Sequence, residues 1–223
     1  MEQLRARRGP VLELGCGPGR LLAAFATLGV DASGVDSSRE MVALARRREP
    51  SADVVLADMA SFDLERAFAG AVCTINSLAH LVDRVDVERH LGCVARHLRR
   101  RRRYLVQLDL RDPADPWAGV RPSVWEARTE HVHVRTTWAV EEIDLARGVE
   151  LHRSRLDVLA GRDAGRVVEE VHRLAAWTPE TWVRAIESSP LTYVAAFDGG
   201  LPDRPRVPVG THGRLLWHEL ARQ

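Results

Sequence analysis

Lysine is absent: all 32 basic side chains other than histidine are arginine, which reads as codon bias toward GC-rich sequence more readily than as a functional device. Against 31 acidic side chains they leave a formal net charge of +1. No global field gathers polyanions, so neither nucleic acid nor an anionic membrane is an expected partner. Cysteine is scarce and odd in number, and Cys16, Cys73 and Cys93 sit in apolar strand or helix contexts, which argues against a secreted disulfide framework. No long apolar run occurs and the chain starts on charged residues. Neither a membrane span nor a signal peptide is expected, and a cytoplasmic location follows. What the chain does have is 45% hydrophobic content over 223 residues, enough for one large domain or one domain with an insertion.

The stretch from Val11 to Leu28, VLELGCGPGRLLAAFATL, reads as a strand, a glycine turn and a helix, with an acid two residues before the first glycine. Gly15, Gly17 and Gly19 let the backbone take positive φ and come close to a ligand, and the following helix aims its N-terminal amides at the same place. In a doubly wound sheet the first β-α turn lies where strand order reverses, which is where ligands bind. A dinucleotide-binding turn would read G-x-G-x-x-G and hold a pyrophosphate. Here the spacing is E-x-G-x-G-x-G, from Glu13 to Gly19. A carboxylate repels a diphosphate but suits a ligand that carries an ammonium and a sulfonium. The motif therefore points away from NAD; taken alone, it also fits a tight connection that holds no ligand.

Strand and helix patterns alternate from Val11 to about Leu110, the order of a parallel sheet. The expected strands are Val11 to Cys16, Ala32 to Asp36, Asp53 to Ala57, Ala71 to Asn76 and Tyr104 to Leu110, with helices over Leu21 to Leu28, Arg39 to Arg48 and Val85 to Leu98. From Val124 to Trp177 the period becomes two, broken by turn signals at Arg147-Gly148 and between Gly161 and Gly165, so three or four antiparallel strands are expected there. Thr178-Pro-Glu opens a helix with an N-cap and a first-turn proline. Leu191 to Phe197 and Arg214 to Leu220 read as a closing antiparallel pair.

The glycine motif resembles that of the class I SAM-dependent methyltransferases, where it lies against the methionine and ribose parts of S-adenosylmethionine (SAM). The resemblance covers nearly the whole chain. A strand ending like CTINSLAHL, the antiparallel cover, the W-T-P-E helix start and the final GRLL strand are similar to the small N-methyltransferases acting on amino sugars and related molecules. It implies an α/β fold: a Rossmann-like, mostly parallel sheet with an antiparallel last strand and an inserted antiparallel β cover. Residues 1–110 would form the SAM-binding core, residues 111–177 the acceptor cover, and residues 178–223 the C-terminal helix and closing strands. It further implies SAM as cofactor, a small-molecule acceptor, and cofactor contacts from Glu13, Gly15, Cys16, Gly17 and Gly19. Asp36, with Ser37 beside it, would take the ribose hydroxyls, since a carboxylate offers only acceptors. Asp58 would face the adenine amino group while the Met59 backbone holds the ring, and Asn76 and Ser77 would contribute polar contacts. Each also has a structural reading: Asp36 and Asp58, as acids at strand ends, as helix N-caps, and Asn76 and Ser77 as turn residues.

Two features depart from the family. Only ten residues precede the first strand, so MEQLRARR makes at most two turns of helix in place of a lid. An open cofactor site, or one covered by a homodimer mate or a partner subunit, is the expectation. Arg99 to Arg103 stand where a proline and glycine turn is usual, and without aromatic interleaving they read as a solvated turn.

Methyl transfer from a sulfonium is an in-line displacement, so alignment and exclusion of water dominate, and one titratable group near the methyl is useful for the acceptor's proton. His80 is the first candidate, with capping or packing of the next helix as its alternative. Asp109, ending the fifth strand, is the second, and would orient an acceptor amine or hydroxyl. Trp117, Trp125, Trp138, Trp177 and Trp182 fall in or beside the inserted sheet, mostly as core. His131 and His133 are read as sharing one strand face, but no third ligand has metal spacing and no metal is expected. A degenerate SAM-fold subunit that stabilises a partner, and a SAM enzyme of non-methylating chemistry, remain as the competing functions.

Overall fold

A computed structural model of the chain describes residues 9–201 and 203–223; the helix expected at MEQLRARR lies outside them. Five strands run parallel: β1 (Val11–Leu14), β2 (Ala32–Asp36), β3 (Asp53–Leu56), β4 (Phe68–Cys73) and β5 (Leu98–Gln107). β1 and β4 are buried along their whole length, as strands covered on both faces must be. Between them run α1 (Arg20–Thr27), α2 (Arg39–Arg48) and α3 (Arg84–His97). The Ser38 hydroxyl caps α2 by accepting the Met41 N–H at 3.2 Å, and three arginines in the last turn face the negative end of the helix dipole.

The core sheet has eight strands in the order β11-β10-β12-β5-β4-β1-β2-β3. The chain steps outward from β1 to β3 and then resumes on the other side of β1 at β4, so strand order reverses between β1 and β4. β12 (Leu216–Arg222) lies antiparallel between β5 and β10 (Leu191–Asp198), and a two-residue β11 (Arg206–Val207) edges the sheet. α4 (Pro179–Glu187) starts on a capping box between Thr178 and Thr181.

The segment after β5 forms a second, four-stranded antiparallel sheet: β6 (Ser123–Arg128), β7 (Val132–Asp144), β8 (Val149–Gly161) and β9 (Val167–Ala175). Its two ends meet, because the Arg111 N–H donates to the Trp177 carbonyl at 2.7 Å. Arg111 also grips Glu150 at the base of β8 with two hydrogen bonds of 2.6 and 2.5 Å, both side chains buried. The outer face of this sheet carries Glu126, Arg135, Glu141, Arg153, Arg155 and Glu169 in a ladder of exposed ion pairs.

Four expectations are corrected. β4 begins at Phe68 and stops at Cys73, so Thr74 to Asn76 belong to a turn in which Ile75 and Asn76 take φ of 55° and 57°. The arginine run is not a turn ahead of β5 but lies within it. Phe68 pairs with Leu98 and Gly70 with Arg103, so Arg99 to Arg102 bulge outward, with Arg101 left-handed at φ 59°. Arg103 is tied down by Glu219 at 2.5 Å. His131 precedes β7 and pairs with Glu130, while His133 meets Glu126 at 2.8 Å, so the two histidines do not share a strand face. Of the five tryptophans, only Trp177 and Trp182 are core; Trp138 is half-buried, and Trp117 and Trp125 are exposed.

Candidate functional site

The glycine turn after β1 lies on the turn after β4. Gly15 has φ 64°, and a Cβ there would come within 3.1 Å of the Ser77 Cβ. Gly19, at φ 74°, is pressed against Ala45 of α2, where a Cβ would sit 3.0 Å from its Cα. Gly17, at φ 51°, has open space around its Cβ position. A side chain is thus excluded on conformational grounds at all three, and at Gly17 the backbone faces a gap.

Two acids, Asp36 and Glu13, stand at this turn, and Asp58 lies beyond β3. Asp36, at the end of β2, accepts the Gly17 N–H at 2.8 Å on one oxygen and the Ser38 N–H at 2.9 Å on the other. It therefore braces the glycine turn, and the helix cap belongs to Ser38. Ser37 is exposed beside it. Glu13 is buried at 3% exposure, and its Oε2 has no hydrogen-bond partner among the described residues. Burial, reinforced by Asp36, pushes its carboxyl up to about 8. Asp58 is exposed beyond β3 and accepts the Ala60 N–H at 2.7 Å.

The neighbouring Met59 is fixed from behind. His90 Nδ1 meets the Met59 carbonyl at 2.9 Å and its Nε2 meets the Tyr104 hydroxyl at 2.7 Å. The carbonyl can only accept, so His90 carries its proton on Nδ1 and Tyr104 donates to Nε2. Full burial holds His90 down to about 4. Neither His90 nor Tyr104 stands out in sequence, because their pairing joins α3 to β5. Cys16 presents no free group to the gap. Its N–H donates to Val35 O and its carbonyl accepts the Gly19 N–H, both at 3.0 Å, and burial pushes its thiol up to about 12.

Asn76, Ser77 and His80 share one short element, the turn after β4 and its 3₁₀ helix, Ser77–His80. Asn76 Oδ1 accepts the Asp109 N–H at 3.0 Å, and Ser77 Oγ donates to the Thr74 carbonyl at 2.7 Å. One end of the element is against Gly15. The other carries His80, whose ring lies edge-on to His172 of β9 with centroids 6.3 Å apart. Loss of solvation on its packed side, then His172 and His152, lower its pKa from the ordinary 6.5, although part of the ring reaches solvent. Asp109 lies two residues beyond β5, where it accepts the Leu215 N–H at 2.7 Å, with Arg214 at 3.8 Å. That carboxylate is engaged in holding the connection before β12.

The donor set fits SAM. At the turn stand Asp36, the unpartnered Glu13 oxygen and backbone with no side chain in the way, which suits a ligand with hydroxyls and no phosphate, and a ligand ammonium facing Glu13 would favour the charged form of its carboxyl.

Comparison with known proteins points the same way. Residues 11–101 match the family model described as a methyltransferase domain. The chain is 29% identical over 189 residues to a Streptomyces fradiae dTDP-3-amino-3,6-dideoxy-alpha-D-glucopyranose N,N-dimethyltransferase, covering 82% of this chain and 69% of that one. In structure it is similar to a sugar N-methyltransferase from Streptoalloteichus (TM-score 0.77, 24% identity, 100% of this chain and 83% of that chain). A SAM-bound amino pentose methyltransferase from Micromonospora echinaspora is similar to the same degree (TM-score 0.77, 20% identity, 100% and 88%).

Proposed function

We propose that this chain, which by its fold and its N-terminal domain is a class I SAM-dependent methyltransferase, transfers the methyl group to the amine of an amino sugar carried on a nucleotide. The observation that carries this reading is the 3₁₀ element after β4. It presses Ser77 toward the glycine turn at one end and sets His80 against the inserted sheet at the other, so cofactor crevice and cover meet across four residues. The resemblance to amino-sugar enzymes supplies the acceptor class.

Bound SAM would supply an electrophilic methyl on a sulfonium. In this reading Glu13 and the backbone of Gly15 and Gly17 receive its amino-acid end, and Asp36, already aligned by Gly17 and Ser38, takes the ribose hydroxyls. Asp58 and the backbone of Met59, braced by His90, hold the adenine. Asn76 and Ser77 shape the wall beneath the reacting centre. The inner face of the inserted sheet closes over the acceptor and excludes water. His80, kept neutral at pH 7 by its lowered pKa, accepts the proton the acceptor ammonium must lose before its nitrogen attacks. Asp109 keeps a supporting role through Leu215.

The test is competition between two acceptors that differ at one atom: a nucleotide-linked 3-amino sugar and its 3-hydroxy counterpart. Formation of N-methylated product and S-adenosylhomocysteine (SAH) from the amine alone is the expected result. Methylation of the hydroxyl compound instead would overturn the amine reading, and methylthioadenosine release would place the chemistry on the aminobutyrate arm.

A further inference from the structure

Five side chains, Arg111, Glu150, His152, Trp138 and His172, lead from the junction of the two sheets to His80, and each helps to place the next. Arg111 holds Glu150 by two hydrogen bonds, and Glu150 Oε2 faces His152 Nε2 at 2.7 Å. On the other side of that ring, Trp138 Nε1 lies 2.8 Å from His152 Nδ1. An indole N–H only donates, so Nδ1 is the acceptor and the single proton of His152 sits on Nε2, donated to Glu150. A second proton would set N–H against N–H at Trp138. His152, buried at 5% exposure, is therefore held by a hydrogen bond on each ring nitrogen.

The same hydrogen bond fixes the plane of the Trp138 indole. That ring stacks on His172, with centroids 4.8 Å apart and planes 23° from parallel. His152 and His172 are directly paired between β8 and β9, and His172 Nε2 also meets the Ser154 hydroxyl at 3.0 Å. His172 is thus held in plane and in direction, and it presents its ring to His80.

We infer that His172 is a positioning residue for His80, set in place by Arg111, Glu150, His152 and Trp138, and that it keeps the His80 imidazole oriented and unprotonated toward the acceptor. The reason is geometric: the His172 ring, held edge-on beside His80, fixes its orientation, takes water from one side of it and makes a positive charge on it more costly. The charged and titratable groups around the pair are His152, Asp36 on the cofactor side, and Glu170, whose carboxylate is 3.9 Å from His172. The catalytic consequence rests on the function proposed above, whereas the pairing itself does not.

The test is a histidine ring-proton NMR titration of the cofactor-free protein, comparing wild type with His172→Gln, which retains an amide for Ser154, and with His172→Asn as a second variant. The His80 resonance is assigned with His80→Asn. The expected result is an upward move of the His80 midpoint in both His172 variants. With acceptor present, the acid limb of kcat/KM moves upward in pH by the same amount while SAM affinity stays constant. A His80 midpoint unchanged in folded His172→Gln overturns the inference. Absence of amine methylation by the wild type would overturn the acceptor reading and leave the NMR midpoint to decide this one.

Discussion

The carboxylate of Asp36 receives the backbone N–H of Gly17 at 2.8 Å, so the end of β2 holds the glycine turn after β1 in its left-handed form. Its other oxygen is engaged by Ser38. Asp36→Asn keeps the volume but leaves one acceptor for two donors. Hydrogen bonds to a charged group contribute roughly 1.5–3 kcal/mol, so SAM and SAH affinity should fall about 10- to 100-fold. Calorimetric titration checks this, with circular dichroism confirming the retained fold.

His80→Asn should leave SAM affinity unchanged and lower kcat/KM by about 10²- to 10⁴-fold, the usual contribution of a positioned general base. The wild-type rate should fall on its acid side at a pH below 6.5, because the His80 pKa is lowered from that value. Initial-rate SAH formation across pH measures both.

Stability should decline on both sides of neutrality for different reasons. His90 and His218 are depressed from 6.5 to about 4 by burial, so the stability they confer is complete above 6.5 and is lost as pH falls through about 4. Each is worth on the order of 3 kcal/mol. Glu13 runs the other way. Its carboxyl is raised from 4.5 to about 8, so its contribution is present below 4.5 and is lost as pH rises through about 8. Urea denaturation at a series of pH values should show both declines, and Glu13→Gln should abolish only the alkaline one.

The clamp at the base of the inserted sheet should be costly to halve and cheap to replace. Glu150→Leu leaves the Arg111 guanidinium buried without its carboxylate and should destabilise by about 3–5 kcal/mol. Arg111→Met with Glu150→Leu should recover most of that loss. Denaturant midpoints of the two variants decide it.

The glycine turn was legible in sequence because its chemistry is local: Glu13, Gly15, Gly17 and Gly19 need only the strand before and the helix after. Asp36 was legible for the same reason, as an acid at a strand end. The arginine bulge was not, since only the register of β5 against β4 reveals that Leu98 and Arg103 are separated by residues with no partner on β4. Period-two alternation located the inserted sheet but gave no way to tell buried Trp177 and Trp182 from exposed Trp117 and Trp125. His152 and His172 are twenty positions apart and become neighbours through the β8-β9 pairing alone. Met59's brace, His90, likewise comes from another element 31 positions away.

The most direct measurement is the product ratio from purified protein incubated with SAM and a panel of small amines that includes nucleotide-linked amino sugars, read by mass spectrometry. One SAH released for every methyl found on an acceptor nitrogen, with both reduced about 10- to 100-fold in Asp36→Asn at limiting SAM, is the predicted result. SAM binding without any SAH formation across the panel would contradict the assignment of His80 and the inserted sheet to an amine-methylating site.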